Sequence, residues 1–384
     1  MNFEKYPFEK LNELLKDINP NKDYPLSSLT IGEPQFDTPD FIQQKLKETT
    51  SLLNKYPKSA GEIYLKDAMI EFVSKRFDVE LSHQEIIPTF GTREVLFNFP
   101  QFALFDKPNP TIAFPNPFYQ IYEGAAIASR ANIIHMNMTK ENNFIVSLTD
   151  DELKKVDLVI LNYPNNPTSA TISKKELEKW INYALKYNFI LINDECYSEL
   201  YFDNTNKPVS LLEACKNVGN DDFKNCLVLN SISKRNSAPG LRSGFIAGDK
   251  DILKEYMKYR TYVGCALPLP LQEASACAWR DTQSSQNFRD IYKQNFDIAK
   301  DILDITMPDA TFYIWLNIFD RSIKRDFKDE LEFTQKLYEE KHIKVLPGSF
   351  LGREGVGKGY VRIALVEQPE KTKEVLERLK GFQG

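Results

Sequence analysis

The stretch DLVILNYPNNPTSATISKKELEKWINYALKYNFILINDECY, residues 157–197, decides the fold. It opens on the apolar run Leu158–Leu161 and passes through an Asn/Pro turn. SKKELEKWINYALKY (173–187) follows, apolar at helical intervals behind Ser173 as N-cap, and leads into the second apolar run NFILIN (188–193). Short runs of this kind, bounded by turn residues, read as strands buried on both faces. Strand, amphipathic helix and strand in succession predict a parallel pair bridged by a crossover helix.

The pattern continues on both sides. PTIAF (110–114), ANIIHM (131–136), NCLVLN (225–230) and SGFIAG (243–248) are further buried-strand candidates, so the expected class is α/β, with a mostly parallel central sheet covered by helices on both faces. The ends read differently. Residues 1–45 hold a helix, with Phe8, Leu11, Leu14, Leu15 and Ile18 on one face, and an extended GEPQF segment. Residues 285–384 hold amphipathic helices near 287–305, 328–341 and 370–380 and the strand candidates TFYIWLNI (311–318) and YVRIALV (360–366). We therefore expect a large domain over 46–280 and a smaller α/β domain built from 1–45 and 281–384, with an N-terminal arm.

Composition narrows the function. Acidic residues number 54 and basic residues 49, a net charge of −5 with no basic block, which disfavours nucleic acid or an anionic membrane as main partner. No apolar run reaches the length of a membrane span, and the N-terminus lacks the layout of a signal peptide. The five cysteines, at 196, 215, 226, 265 and 277, form no Cys-x-x-Cys pair, so free thiols in a reducing cytoplasm are expected. His83, His135 and His342 lie far apart, which leaves a zinc site or a histidine-based triad little to build on, and no metal is expected.

In an open parallel sheet, ligands bind beyond the carboxyl ends of the strands. Three predicted strands end in polar clusters: Asn162-Tyr163-Pro164-Asn165-Asn166-Pro167-Thr168, Asp194-Glu195-Cys196-Tyr197, and Ser231-Ile232-Ser233-Lys234. Parallel strands would bring an Asn, an Asp, a Tyr and a Lys to one edge. A lysine amine forms Schiff bases with carbonyls, a buried carboxylate can hold a pyridine nitrogen protonated, and a phenol and an amide can bind a ring oxygen. Those are a protein's tasks around pyridoxal phosphate. The phosphate needs a cradle, and Phe90-Gly91-Thr92-Arg93-Glu94 offers a glycine turn opening a helix.

With these residues in order, the chain resembles the class I and II aminotransferases, the fold-type-I enzymes of pyridoxal 5'-phosphate, from about residue 30 to 366. The resemblance is carried by IGEPQFDTP (31–39), Tyr56 with Gly61 and Leu65, PNPFYQIY (115–122), NNPTS (165–169), DECY (194–197), SISKRNSAPGLRSG (231–244), PGSFLG (347–352) and YVRIAL (360–365). The spacing of eight from Lys234 to Arg242 is the most specific of these signals. Ser169-Ala170 departs from the usual glycine after Pro-Thr, which bears on the shape of that loop.

The resemblance implies roles. Lys234 would bind the cofactor covalently and then move the proton. Asp194 would pair with the ring nitrogen. Tyr197 and Asn166 would bind the ring oxygen, and Tyr119 would stack on the ring. Gly91, Thr92, Ser231 and Arg242 would hold the phosphate, with Arg93 adding its backbone N–H while its side chain is solvated. Tyr56 would reach the phosphate of a neighbouring subunit, which implies a homodimer. Arg362 would clamp the substrate carboxylate, which Asn166 also contacts, and Gly32 would let the backbone approach it.

Glutamate with 2-oxoglutarate is the default substrate pair for such an enzyme. TFYIWLNI and ALPLPLQEASACAW (266–279) are similar to succinyldiaminopimelate transaminases of lysine biosynthesis. A succinyl carboxylate would need a second cation, with Arg260, Arg353 and Lys358 as candidates. Aspartate aminotransferase and LL-diaminopimelate aminotransferase are the alternatives, and a β-lyase on the same scaffold is a further one.

Overall fold

The computed structural model describes residues 3–320, 323 and 325–383. Met1, Asn2, Arg321, Ser322, Lys324 and Gly384, part of the expected smaller domain, lie outside the described residues. Ser173 starts the helix Lys174–Tyr187 by accepting a hydrogen bond from the Glu176 N–H at 3.2 Å. Leu177, Trp180, Ile181 and Ala184 face inward along it, and Asn188, in the left-handed conformation at φ 57°, ends it. A side chain able to adopt that conformation stops the helix and turns the chain into the next strand.

In chain order the strands are β1 (Ser27–Ser28), β2 (Ile86–Phe90), β3 (Thr111–Asn116), β4 (Asn132–Asn137), β5 (Leu158–Leu161), β6 (Ile190–Asp194), β7 (Cys226–Ser231), β8 (Ser243–Gly248), β9 (Tyr313–Asn317), β10 (Ile343–Lys344), β11 (Leu346–Pro347) and β12 (Tyr360–Ala364). Seven form the main sheet in the order β2-β8-β7-β6-β5-β3-β4. Only β8 runs against its neighbours, pairing antiparallel with both β2 and β7. Both faces are covered, and alternate residues go to opposite sides, as a strand's two-residue period requires. Val159, Leu191 and Val228 pack with Leu177 and Trp180, whereas Leu158, Ile160, Ile192 and Leu227 pack with Phe99, Tyr122 and Tyr256.

The two ends of the chain build the smaller α/β unit together. β11, β12 and β9 make an antiparallel sheet, and β1 pairs in parallel with β10, Ser27 against Ile343 and Ser28 against Lys344, 316 residues on. Its core takes Phe296 and Leu303 from the helix Gln283–Leu303, Leu337 from Glu330–Lys341, and Leu376 and Leu379 from Pro369–Gln383. The expected break at 45/46 falls inside the helix Asp40–Glu48, whose Ile42 is buried with the large sheet's core. We propose to draw that break ahead of this helix and to keep the other at 280/281.

No described helix is long and apolar enough to cross a membrane. All five cysteines are free, and no described group of His, Cys, Asp and Glu could hold a metal ion.

Candidate active site

Strand direction assembles the site. β5, β6 and β7 are parallel, so the segments after Leu161, Asp194 and Ser231 emerge on one edge of the sheet. β2 also runs in that direction, because it opposes β8, and Gly91 follows its last residue. β8 is reversed, so its beginning lies at this edge and brings Arg242 with it. A cavity of about 450 Å³ opens there, between the large sheet and the smaller unit.

Gly32, Thr92, Arg93, Tyr119, Asn166, Asp194, Tyr197, Ser231, Lys234, Arg242 and Arg362 line it. Two expected residues do not. Gly91 stands just behind, and Tyr56 lies outside, 99% exposed.

Lys234 sits on the short helix Ile232–Arg235, which Ser231 caps by accepting from the Ser233 N–H at 3.1 Å. Its amine donates to the Gly32 carbonyl, and burial lowers its pKa from 10.5 to about 8. A desolvated ammonium loses its advantage over the neutral amine. Asp194, at the end of β6, accepts from the Tyr122 hydroxyl at 2.9 Å and from the Cys196 N–H at 3.3 Å. Burial raises its carboxyl above the ordinary value despite these bonds.

Asn162 fixes the loop beside it, donating to the Asp194 carbonyl at 2.9 Å and accepting from the Asn166 N–H at 3.0 Å. Arg362, on β12, donates from Nη1 to Asn166 Oδ1 at 2.7 Å and from Nη2 to the Thr30 carbonyl, while its buried Nε has no partner. The Tyr197 and Tyr313 hydroxyls lie 2.9 Å apart. A Cβ on Gly32 would run into the Tyr313 phenol, and one on Gly91, at φ 73°, would collide with the Arg242 guanidinium.

This set fits pyridoxal phosphate on the structure's own terms. There is a largely buried amine that forms no ion pair among the described residues, a buried carboxylate suited to a positively charged N–H, and a glycine whose missing side chain makes room beside an arginine at a helix start.

The family model for aminotransferase class I and II matches residues 25–379. The chain belongs to the class I and II aminotransferases. The aminotransferase is similar to the crystal structure of aminotransferase AspB from Helicobacter pylori, at 49% identity and a TM-score of 0.95, covering 100% of this chain and 99% of that one. It is also similar to LL-diaminopimelate aminotransferases. That of Natranaerobius thermophilus is 30% identical over 98% of this chain and 97% of its own length, and that of Maridesulfovibrio salexigens 29% identical over 92% and 90%. The enzyme's cofactor is therefore pyridoxal phosphate, and its substrates are amino and oxo acids.

Those two relatives are LL-diaminopimelate aminotransferases, and neither supports the expected succinyldiaminopimelate specificity. The segments behind that expectation are largely framework. The helix Leu269–Arg280 buries Ala274, Ala278 and Trp279, and β9 is a sheet strand in which Tyr313 alone faces the cavity.

Two of the candidate second cations are paired elsewhere, and the third lies outside the cavity. Arg260 is buried, not solvated, and pairs with Glu94 at 2.7 Å. Arg353 pairs with Glu123 at 2.8 Å, and Lys358 is exposed outside the cavity. Arg93 is exposed, as expected, and its Nε donates to the Tyr119 hydroxyl at 2.8 Å.

Sequence reasoning passed over Tyr122, Tyr313, Glu33 and Tyr6, all on the cavity wall. Tyr122 carried one signal, a position three residues beyond Tyr119. Glu33 carried a signal too, its place in the IGEPQFDTP segment beside Gly32, whereas Tyr6 carried none, because only the fold brings it to the mouth.

Proposed function

We propose that the enzyme transfers the amino group between glutamate with 2-oxoglutarate and LL-diaminopimelate with its oxo acid, as a cytoplasmic homodimer. The observation that carries the reaction is the convergence on one cavity of Asp194 at the end of β6, Lys234 just after β7, and Arg362 from the middle of β12 in the smaller sheet. Pyridoxal phosphate, when bound, supplies the sink for the electron pair released at the substrate α-carbon.

The chain's residues do the rest. Gly91, Thr92, Ser231, Arg242 and the Arg93 N–H hold the phosphate, a task suited to a helix start with an arginine beside it. With the cofactor in place, Asp194 would hold the proton on the ring nitrogen, Tyr197 and Asn166 would bind the ring oxygen, and Tyr119 would cover the ring. Arg362, with its free Nε and the guanidinium fork, takes the α-carboxylate. Lys234 Nζ accepts the proton from the α-carbon and gives it back. A pKa of about 8 suits a group that must both take and return a proton near neutral pH. Full exposure of Tyr56 in the single chain leaves it free to enter a neighbour's site.

Glu33 favours LL-diaminopimelate over the succinylated compound. It places a carboxylate on the cavity wall, which attracts the distal ammonium of LL-diaminopimelate. The succinyl group has no such cation and would meet repulsion.

The test is a set of half-reactions of the purified holoenzyme with glutamate, aspartate, LL-diaminopimelate and N-succinyl-LL-diaminopimelate, followed by cofactor absorbance. Glutamate and LL-diaminopimelate are expected to convert the cofactor. Conversion by the succinylated compound but not by LL-diaminopimelate would overturn the substrate reading.

A further inference from the structure

Two residues outside the assigned site hold strained backbones against each other. Ser169 has φ 63° and Thr311 φ 76°, in the left-handed region where a Cβ crowds its own chain and which a β-branched residue adopts only under constraint. Asp78, Asn188, Asp304 and His342 share that region for an ordinary reason, since each ends a helix. Ser169 and Thr311 end none. Ser169 lies in the turn 165–170, where its N–H donates to the Asn165 carbonyl at 2.9 Å, and Thr311 leads into β9 of the smaller unit.

Their hydroxyls close a ring of hydrogen bonds on the Tyr313 backbone. The Ser169 hydroxyl donates to the Tyr313 carbonyl at 2.8 Å, and the Tyr313 N–H donates to Thr311 Oγ1 at 3.1 Å. The Ser169 proton is spent on the carbonyl, so Thr311 is the donor of the third bond, to Ser169 Oγ at 2.5 Å. All three residues are buried, and β9 is an outer strand of its sheet, so these bonds satisfy edge groups of Tyr313 that burial would make costly to leave open. The Thr311 N–H also donates to the Leu200 carbonyl at 2.7 Å, in the segment that follows Tyr197.

Tyr313 is what the ring holds. Its side chain lines the cavity, its hydroxyl lies 2.9 Å from that of Tyr197, and the Arg362 guanidinium sits 4.5 Å from its ring centre. We propose that Ser169 and Thr311 are positioning residues: they clasp the two units together at Tyr313 and aim its hydroxyl at Tyr197, which then donates more strongly to the cofactor's ring oxygen. The proposal rests on the reading that places Tyr197 at that oxygen. A phenol has one proton, so when Tyr197 gives it to the ring oxygen, Tyr313 must donate to Tyr197, and the second bond strengthens the first. A stronger donor at the ring oxygen favours the deprotonated form of the cofactor chromophore.

The experiment reads the pH midpoint of the cofactor's absorbance change in intact holoenzyme. Ser169→Gly removes the hydroxyl and places glycine where φ is 63°, so folding is spared. Its midpoint is expected to rise by about 0.4–1 pH unit, the shift equivalent to one neutral hydrogen bond. Thr311→Ser keeps the hydroxyl and is expected to match wild type. In a Tyr313→Phe background the midpoint is expected to be raised already, with Ser169→Gly adding nothing. A wild-type midpoint in Ser169→Gly, whatever its urea stability, shows a merely structural role and overturns the proposal. So does an undiminished shift in the Tyr313→Phe background, because it bypasses Tyr313. Tyr197→Phe separates this failure from that of the underlying reading. A raised midpoint there beside an unmoved one in Ser169→Gly overturns the clasp alone, whereas an unmoved midpoint in Tyr197→Phe overturns the placing of Tyr197 and the proposal with it.

Discussion

The Tyr122 hydroxyl donates to Asp194 Oδ2 at 2.9 Å, joining two buried residues 72 apart in sequence. The bond favours the carboxylate, which burial otherwise disfavours. Tyr122→Phe keeps the ring's packing and removes the donor. The rate of the glutamate half-reaction is expected to fall about 10-fold, and its acid limb to move to higher pH, as Asp194 becomes easier to protonate. Stopped-flow absorbance across pH checks both. An unchanged acid limb would show that Tyr122 is only packing.

Lys234 sets a pH-dependent stability in the cofactor-free protein. Its folded pKa, about 8, lies below the ordinary 10.5, so below pH 8 both states are protonated and the folded state carries the full desolvation cost. That cost is about 3 kcal/mol, and it disappears as pH rises from 8 to 10.5. Lys234→Met is therefore expected to be more stable than wild type at pH 7, and the gap to close toward pH 10.5. Urea unfolding of both apoproteins at several pH values measures it.

Much of this fold is readable without coordinates, for a physical reason. β5 and β7 are buried on both faces, so their sequences are continuous apolar runs that admit few other readings. Lys234, Asp194 and Asn166 stand out because polar residues directly after such runs mark the strand ends. The direction of β8 is another matter: SGFIAG looks the same running either way, yet its reversal is what brings Arg242 to the site. Tyr122 reads as core because it is core by burial, and only its distant partner shows the second role. Arg260 reads as a surface charge because its partner, Glu94, lies 166 residues away.

Arg260 and Glu94 are both buried, and Arg260 also donates to the Ser59 carbonyl. Removing one member leaves an unpaired charge in the interior, so Arg260→Ala is expected to lower unfolding stability by about 3–5 kcal/mol. The half-buried pair Arg325–Glu340 is the control. Arg325→Ala is expected to cost under about 1 kcal/mol. Denaturant titration of the two holoenzyme variants compares them, and equal losses would contradict the difference in burial.

Glu33 separates two substrates of the same enzyme. Glu33→Gln is expected to raise the KM for LL-diaminopimelate about 10-fold, because a distal ammonium loses its counter-charge. The KM for glutamate, which has no distal cation, is expected to stay within about twofold. Steady-state kinetics with each substrate decide it, and a matching rise for both would remove Glu33 from distal recognition.

The most direct measurement is chemical. Holoenzyme is reduced with borohydride, digested, and its peptides weighed. A single pyridoxyl phosphate adduct on Lys234 is expected, with Lys234→Ala retaining non-covalent cofactor but yielding no adduct and no turnover. An adduct on another lysine, or none on a protein saturated with cofactor, would contradict the assignment of Lys234 and the mechanism built on it.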